Sequence, residues 1–328
     1  MPGKSELLIT TNWHPGTIIK LEQYYNAHKL WDLDGSAAQL HLLAKISEHC
    51  EAVATQGFIN DKFKKALPFP RINGEFMDTL PRLKIIANFG VGYDTIDVQA
   101  ASERGIAVTN TPGVLTDDVA DLAIGLMIAS SRKLVRGDRF VREGKWLQGP
   151  MEFGHSLTGK KLGILGLGRI GEAIAQRAAV FKMSIAYHNR NQKNVPYPYY
   201  QDLLSLAKDS DILIAVIPGT PETEKIITKE VLRALGPEGT LINIARGSVV
   251  DEGALVQLLQ EGRLGAAALD VFQSEPNVPQ ALLDIKDRVV LQPHHGSGTH
   301  ETRAAMGQLV VDNLAAHFAN KPLLNPVN

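Results

Sequence analysis

K-L-G-I-L-G-L-G-R-I-G, residues 161–171, is the stretch that decides the fold of this chain. A short apolar run leads directly into Gly166, Gly168 and Gly171, and residues from about 169 to 181 are predicted to form a helix. The first glycine permits a tight turn, the second lets a pyrophosphate approach the backbone, and the third lets the helix pack closely on the strand. Because a second apolar run follows the helix, the pattern predicts a βαβ unit that binds a dinucleotide at the helix N-terminus.

The residues after the second strand predict which dinucleotide binds. A site for NAD needs a carboxylate about 20 residues beyond the glycines, which accepts the ribose 2′-hydroxyl. This chain has His188, Asn189 and Arg190 there, and no acidic residue follows before Asp202. A guanidinium binds a phosphate through two hydrogen bonds, and Asn and His can donate others. We therefore expect NADPH to be preferred over NADH; the alternative is that Arg190 and the nearby Lys193 are ordinary solvated charges.

Length and composition indicate a globular protein of two domains. The chain has 328 residues, which is more than a single hydrophobic core usually serves. Its composition, with 44% hydrophobic and 21% charged residues, is typical of globular proteins. A net charge of −1 favours neither nucleic acid nor an anionic membrane. Cys50 is the single cysteine, so no disulfide or zinc cluster is expected. Without an apolar run of about 20 residues or a signal-peptide core, we expect a cytoplasmic protein with no membrane partner.

A second α/β unit is predicted before the glycine motif. Its expected strands are short apolar runs at residues 7–10, 52–55, 83–88 and 106–110, and a helix is expected at 37–49. Turn-forming residues mark a loop at Pro68, Pro70, Asn73 and Gly74. A long helix is predicted from a Thr116 cap to about Val135. After the glycines, strands are expected at 211–218, 240–245, 266–271 and 289–292, with a helix at 252–261.

Three of the later strands end in residues that suit carbonyl chemistry. Ligands of open parallel sheets bind beyond the carboxyl ends of the strands. One strand ends at Arg246, another at Asp270 with Glu275 shortly after it, and a third runs into His294. Because parallel strands place their carboxyl ends at one edge of the sheet, we expect these side chains to converge.

The three residue types at this edge each supply a part of the reduction of a 2-oxo acid. A histidine such as His294 can donate a proton to the carbonyl oxygen near neutral pH. A neighbouring carboxylate, Glu275, favours the imidazolium and fixes which ring nitrogen faces the substrate. The guanidinium of Arg246 can pair with the substrate carboxylate and polarise the carbonyl. The hydride would come from a nicotinamide, and no metal is required.

Four motifs together resemble the D-isomer-specific 2-hydroxyacid dehydrogenases over about residues 80–325: L-G-L-G-R-I-G, N-I-A-R-G-S-V-V-D-E, L-D-V-F-Q-S-E-P and P-H-H-G-S-G-T. The segment T-N-T-P-G-V-L-T-D-D-V-A-D-L-A-I-G-L looks most like the glyoxylate/hydroxypyruvate and hydroxyphenylpyruvate reductase branch. The resemblance implies two doubly wound parallel-sheet α/β domains. A Rossmann dinucleotide-binding domain, residues 110–298, would be inserted into a discontinuous substrate-binding domain of residues 1–109 and 299–328.

The resemblance also implies roles for individual residues. Asp270 would hold the nicotinamide carboxamide, and the backbone amides of Val91 and Gly92 would hold the substrate carboxylate. Relatives are homodimers that pair through their nucleotide domains, so Trp146 is expected either to reach the partner's substrate pocket or to be an ordinary interface residue. Further cofactor contacts are expected at Arg169, Ile170, Pro218, Thr223, Ala245 and Gly296.

The expected activity is NADPH-dependent reduction of a small 2-oxo acid, such as glyoxylate or hydroxypyruvate, to the D-2-hydroxy acid. Hydroxyphenylpyruvate and 2-ketogluconate are alternative substrates within the family, because the expected pocket wall, including Ala54 to Gly57, does not distinguish them. Formate dehydrogenases share much of this scaffold but have Gln at the position of Glu275. The glutamate of this chain therefore disfavours formate dehydrogenase activity. A cofactor-sensing, corepressor-like binding protein is the alternative from another class.

Overall fold

The computed structural model describes residues 4–56 and 71–328. Within these ranges eleven strands form: β1 Glu6–Ile9, β2 Asn26–Lys29, β3 Cys50–Thr55, β4 Ile85–Asn88, β5 Ala107–Thr109, β6 Lys161–Leu165, β7 Ser184–His188, β8 Ile212–Ala215, β9 Thr240–Asn243, β10 Ala266–Leu269 and β11 Val289–Leu291. Pro68 and Pro70 of the expected loop, and Gly57 of the expected pocket wall, lie outside the described residues.

The same ranges contain twelve α-helices: α1 Pro15–Tyr24, α2 Gly35–Ile46, α3 Gly74–Asp78, α4 Val98–Glu103, α5 Thr116–Ser131, α6 Leu134–Arg142, α7 Arg169–Val180, α8 Leu203–Lys208, α9 Lys229–Leu235, α10 Glu252–Gln260, α11 Gln280–Leu283 and α12 His300–Phe318. None of the helices in the described part of the chain is long and apolar enough to cross a membrane.

The chain divides into two compact units, one of Met1–Leu115 with Gly298–Asn328 and one of Thr116–Ser297. The first division follows Leu115, whereas the sequence led us to expect it after residue 109. Two residues beyond position 109 still bond to the first unit, since the Asn110 N–H donates to the Asn325 carbonyl at 3.3 Å and the Thr111 N–H to the Gly90 carbonyl at 3.0 Å. From Thr116 onward the chain forms α5, which packs on α7 of the second unit.

The first unit is built on a five-stranded parallel sheet in the order β2-β1-β3-β4-β5. Leu7, Leu8 and Ile9 of β1 are fully buried, as expected for a strand covered on both faces. The chain returns to this unit in α12, which packs against α1 and β4. Gly307 permits the close approach, because a Cβ at that position would collide with the Thr17 side chain.

The second unit is built on a six-stranded parallel sheet in the order β11-β10-β9-β8-β6-β7. The strand order reverses between β6 and β8, because the chain first adds β7 on one side and then β8 on the other. In open α/β sheets the loops at such a reversal point form the ligand-binding crevice. All six carboxyl ends lie at the same edge, so the loops that follow them are neighbours.

Two elements differ from the sequence-based expectation. The helix from Thr116 ends at Ser131 instead of continuing to about Val135, because Lys133 adopts a left-handed conformation with φ of 54° before α6 begins. Strand β2 was not expected, since its sequence N-A-H-K has no apolar alternation. It forms at the edge of the sheet, where β1 is its partner among the described strands.

Candidate active site

The glycine loop after β6 has the geometry of a phosphate cradle. Gly166 has φ of 101°, and a Cβ there would lie 2.6 Å from the Val216 carbonyl oxygen. A Cβ on Gly171 would collide with the Gly166 carbonyl oxygen, whereas one on Gly168 would meet no atom within 4 Å. Two glycines are therefore required by packing and one faces open space, next to the first N–H groups of α7. These residues fit the pyrophosphate of a dinucleotide.

The end of β7 is bonded to this loop. The His188 carbonyl accepts a hydrogen bond from the Gly166 N–H at 2.9 Å, and the Asn189 side-chain oxygen accepts one from the Leu167 N–H at 2.7 Å. His188 donates its Nδ1 proton to the Tyr200 carbonyl at 2.8 Å, because a carbonyl can only accept. The Asn189 oxygen thus holds the glycine loop in place, a role that the sequence did not indicate.

Arg190 is exposed at the end of β7, and it forms no salt bridge with any residue that the structure describes. The Thr220 side chain chiefly, and the charge of Arg190 to a smaller extent, lower the pKa of Glu222 in the loop after β8. Lys193 differs from Arg190, because its ammonium group pairs with Glu172 at 2.6 Å. Its charge is therefore satisfied within the protein and less suited to a ligand phosphate.

The loop after β8 is closed by its own hydrogen bonds. The Thr223 hydroxyl accepts from the Thr220 N–H and contacts the Pro218 carbonyl, each at 2.8 Å. Gly219 lies against the next functional loop, since a Cβ there would be 2.9 Å from Cγ of Arg246. This packing brings Pro218, Thr223 and Arg246 to the same edge of the sheet.

Arg246 follows β9 and is positioned by a buried asparagine at the strand end. The Asn243 side chain donates to the Arg246 carbonyl at 2.9 Å and accepts from the Ala245 N–H at 3.0 Å. Gly247 lies directly against the backbone of Phe272, where any Cβ would collide. The loop of Arg246 is therefore packed onto the loop that follows β10.

Glu275 and His294 form the pair expected from the sequence. The Oε2 atom of Glu275 lies 2.8 Å from Nδ1 of His294, and its Oε1 atom accepts from the Phe272 N–H at 3.1 Å. The Glu275 side chain is 14% exposed and that of His294 33% exposed. Because a carboxylate only accepts, Nδ1 of His294 is the donor, and Nε2 is left for another partner.

Asp270 anchors the loop that carries His294. Its carboxylate accepts the N–H of His295 at 2.6 Å and that of Gly296 at 2.8 Å, while its carbonyl accepts the N–H of His294 at 2.7 Å. Burial raises the pKa of Asp270, although the two N–H groups and His294 act in the opposite direction. His294 has φ of 54°, a left-handed conformation that costs about 1–2 kcal/mol. These three hydrogen bonds offset that cost, and they were not anticipated from the sequence.

The remaining expected residues lie elsewhere. Val91 and Gly92 follow β4 in the first unit and are partly exposed. Trp146 lies in a short 3₁₀ turn after α6 and is 68% exposed. Sequence reasoning missed an aromatic stack in the first unit. The ring centroids of Trp13 and Phe89 lie 4.3 Å apart, and Cζ of Arg303 lies 5.5 Å from the centroid of the Phe89 ring. Its residues are far apart in the sequence, so no local pattern marked it.

The described residues contain no cluster of three or more His, Cys, Asp or Glu side chains suited to a metal ion. The loops of Arg246, Glu275 and His294 lie at the same sheet edge as the dinucleotide cradle. This arrangement can bind an anion, polarise a carbonyl and donate a proton.

Comparison with known proteins gives consistent matches. The family model for the D-isomer specific 2-hydroxyacid dehydrogenase, NAD binding domain, matches residues 124–296. Hydroxyphenylpyruvate reductase of Plectranthus scutellarioides and glyoxylate/hydroxypyruvate reductase A of Arabidopsis thaliana are each 53% identical over 256 residues, which cover 78% of this chain and 82% of the relative.

Among solved structures, the NADPH-dependent glyoxylate/hydroxypyruvate reductase from Sinorhizobium meliloti in complex with NADP and malonate is similar to this chain. It matches with a TM-score of 0.87 at 41% identity, covering 99% of this chain and 97% of that structure.

Proposed function

The chain belongs to the D-isomer specific 2-hydroxyacid dehydrogenases, a family of oxidoreductases, and from this membership we propose that it is an NADPH-dependent 2-oxo acid reductase. The substrate would be a small acid such as glyoxylate or hydroxypyruvate, and the product the D-2-hydroxy acid. The relatives named above support this substrate class. The single observation that carries the proposal is the part-buried Glu275 carboxylate bonded to Nδ1 of His294 at 2.8 Å.

The proposed mechanism assigns one role to each residue of the site. NADPH, when bound, supplies the hydride. His294 donates the proton from Nε2 to the substrate carbonyl oxygen, while Glu275 holds the Nδ1–H and stabilises the imidazolium. The Arg246 guanidinium polarises the carbonyl and orients the acid. The amides of Val91 and Gly92 bind the substrate carboxylate.

The proposed cofactor site uses the loops at the carboxyl edge of the second sheet. The cradle would hold the pyrophosphate, and Asp270 the nicotinamide carboxamide. The further contacts are proposed at Gly166, Gly168, Arg169, Ile170, Gly171, Pro218, Thr223, Ala245 and Gly296. What supports the pyrophosphate position is the open space beside Gly168.

We propose that NADPH is preferred over NADH through His188, Asn189 and Arg190. The guanidinium of Arg190 is exposed at the strand end where NAD-selective sites carry an acid, and residues 188–201 of this chain contain neither Asp nor Glu. Because Nδ1 of His188 is bonded to the Tyr200 carbonyl, Nε2 is the ring nitrogen that can interact with a ligand. A cationic and hydrogen-bonding surface of this kind is complementary to a phosphate.

We also propose that the protein is a cytoplasmic homodimer that pairs through the segment 134–153. None of the residues of α6 is buried within the chain, although its apolar and charged side chains lie on different faces. Several large apolar side chains of the segment are exposed, namely Leu134, Val135, Val141, Trp146, Leu147 and Phe153. Such a patch favours a protein partner. Light scattering at micromolar concentration tests the dimer, and a monomer mass would contradict it.

One experiment tests the activity: initial rates with NADPH and with NADH across glyoxylate, hydroxypyruvate, hydroxyphenylpyruvate and 2-ketogluconate. We expect turnover of a small acid with NADPH, and a His294→Ala variant that binds NADPH but does not turn over. A corepressor-like protein would bind the nucleotide and reduce none of the four acids. Faster turnover of hydroxyphenylpyruvate or 2-ketogluconate would move the assignment to another substrate of the same family.

A further inference from the structure

In the first unit, all three carbonyl groups of the turn Gly90-Val91-Gly92 accept hydrogen bonds from side-chain amides or from a backbone N–H. The Asn88 side chain donates to the Gly90 carbonyl at 3.0 Å and to the Gly92 carbonyl at 2.9 Å. Asn110 donates to the Val91 carbonyl at 2.9 Å. A single asparagine thus holds both ends of the turn, and a second holds its middle.

These bonds determine where the N–H groups of the turn point. In a trans peptide the C=O of one residue and the N–H of the next are antiparallel, and none of the peptides of this turn is cis. Holding the carbonyls of Gly90 and Val91 inward therefore turns the N–H groups of Val91 and Gly92 outward. Neither N–H donates to an acceptor among the residues that the structure describes.

Asn88 is well placed to act as a rigid anchor. It is 1% exposed and stands at the last position of β4, so its backbone is held by the sheet. Phe89, the next residue, is bonded through its N–H to the Thr55 carbonyl at 2.6 Å and is covered by the Trp13 ring. The turn is consequently supported from the strand side and cannot rotate its peptides without breaking the Asn88 bonds.

We propose that Asn88, assisted by Asn110, is a positioning residue that orients the Val91 and Gly92 amides toward the carboxylate of the 2-oxo acid. This inference rests on the proposed function. Two aligned amides form an anion-binding concavity, and their alignment before substrate arrives removes the cost of ordering them on binding. Asn88 does not touch the substrate, so it should govern binding of the carboxylate and leave hydride and proton transfer nearly unchanged.

The test uses the neutral variants Asn88→Leu and Asn110→Ala in the full-length protein. Asn88→Leu keeps the branched shape and the neutral charge of the side chain but removes both N–H donors. We expect its KM for glyoxylate and its inhibition constant for oxamate, an unreactive carboxylate analogue, to rise by about tenfold or more. The values of kcat and of the NADPH dissociation constant should change less than about threefold. Asn110→Ala, which removes one donor, should show a smaller rise in the same two constants.

Two controls separate positioning from general destabilisation. Leu43→Ala, in the core of the same unit, lowers thermal stability without contacting the turn and should leave the KM for glyoxylate unchanged. Ethyl glyoxylate lacks the carboxylate, so its KM should be insensitive to Asn88→Leu.

An unchanged glyoxylate KM in both asparagine variants, with an active wild type, would overturn this inference alone. If Asn88→Leu fails to fold, Asn110→Ala carries the same test. A wild-type protein that reduces no 2-oxo acid and does not bind oxamate would overturn the proposed function and this assignment together.

Discussion

At the scale of single residues, the site depends on how each side chain is held by a neighbour. The imidazole of His294 is oriented by Glu275, and its backbone is held by Asp270. Arg246 is held through Asn243. The proposed roles therefore predict separable effects of substitutions, because Glu275 and Asp270 act on different parts of His294.

Glu275→Gln should lower kcat/KM for 2-oxo acid reduction by about tenfold or more at neutral pH. The amide is neutral and no longer stabilises the imidazolium of His294, so reduction should fail at a lower pH than in the wild type. The pH profile of kcat/KM with NADPH measures this. A profile with the same alkaline limb as the wild type would contradict the proposed pairing.

Arg190→Ala should raise the KM for NADPH by about tenfold or more and leave that for NADH nearly unchanged. The reason is the loss of charge-assisted hydrogen bonds to the 2′-phosphate, which NADH lacks. Lys193→Ala is a matched control, because its ammonium group pairs with Glu172 and should affect neither cofactor. Equal losses for NADPH and NADH in Arg190→Ala would argue against a phosphate contact.

At the scale of elements, the loop between β6 and α7 contains glycines with different physical requirements. A Cβ on Gly171 would collide with the Gly166 carbonyl, whereas one on Gly168 would meet no protein atom within 4 Å. Packing therefore requires a glycine at position 171, whereas at position 168 the requirement would come from the ligand. Substitutions at the two positions can distinguish these requirements.

Gly171→Ala should lower the free energy of unfolding by about 1–3 kcal/mol, since backbone must shift to accommodate the methyl group. Gly168→Ala should change the free energy of unfolding by less than about 1 kcal/mol. It should nevertheless weaken NADPH binding strongly, because the methyl group of the alanine would occupy space needed by the pyrophosphate. Chemical denaturation and fluorescence titration with NADPH measure the two effects. Unaltered NADPH affinity in Gly168→Ala would show that the pyrophosphate binds elsewhere.

At the scale of the whole molecule, stability should depend on the part-buried His317 as the pH falls. Burial chiefly lowers the pKa of His317 from its ordinary value of 6.5, with Lys84 acting in the same direction and Glu51 opposing it. The unfolded chain therefore binds a proton at this histidine more readily than the folded one. The stability that the protein has above about pH 6.5 is consequently lost as the pH falls from there through the lowered pKa of His317 in the folded protein.

His317→Gln should consequently lose less stability than the wild type between pH 7.5 and pH 5. Urea denaturation at the two pH values measures the difference. His41→Gln, on the exposed side of α2 in the same unit, serves as the control and should lose as much stability as the wild type. An equal loss in His317→Gln and the wild type would rule out this histidine as a source of acid sensitivity.

Most secondary structure could be predicted because buried parallel strands are short apolar runs bounded by turns. The expected runs at 7–10 and 240–245 correspond to β1 and β9 with shifts of one or two residues at their ends. Two exceptions have separate causes. Strand β2 forms by pairing with β1, and α5 stops at Ser131 because Lys133 takes a left-handed conformation, so neither is visible in local periodicity.

The sequence by itself determined the dinucleotide cradle and the residue types at the strand ends, because glycine spacing and strand periodicity are local properties of the chain. Only the tertiary structure decided which of these side chains meet. Glu275 and His294 are 19 positions apart, and their contact depends on adjacent strands β10 and β11 ending at one edge. The Asn88 anchor, too, becomes visible only when the directions of the peptide groups are known, since hydrogen-bond geometry is a property of the folded backbone.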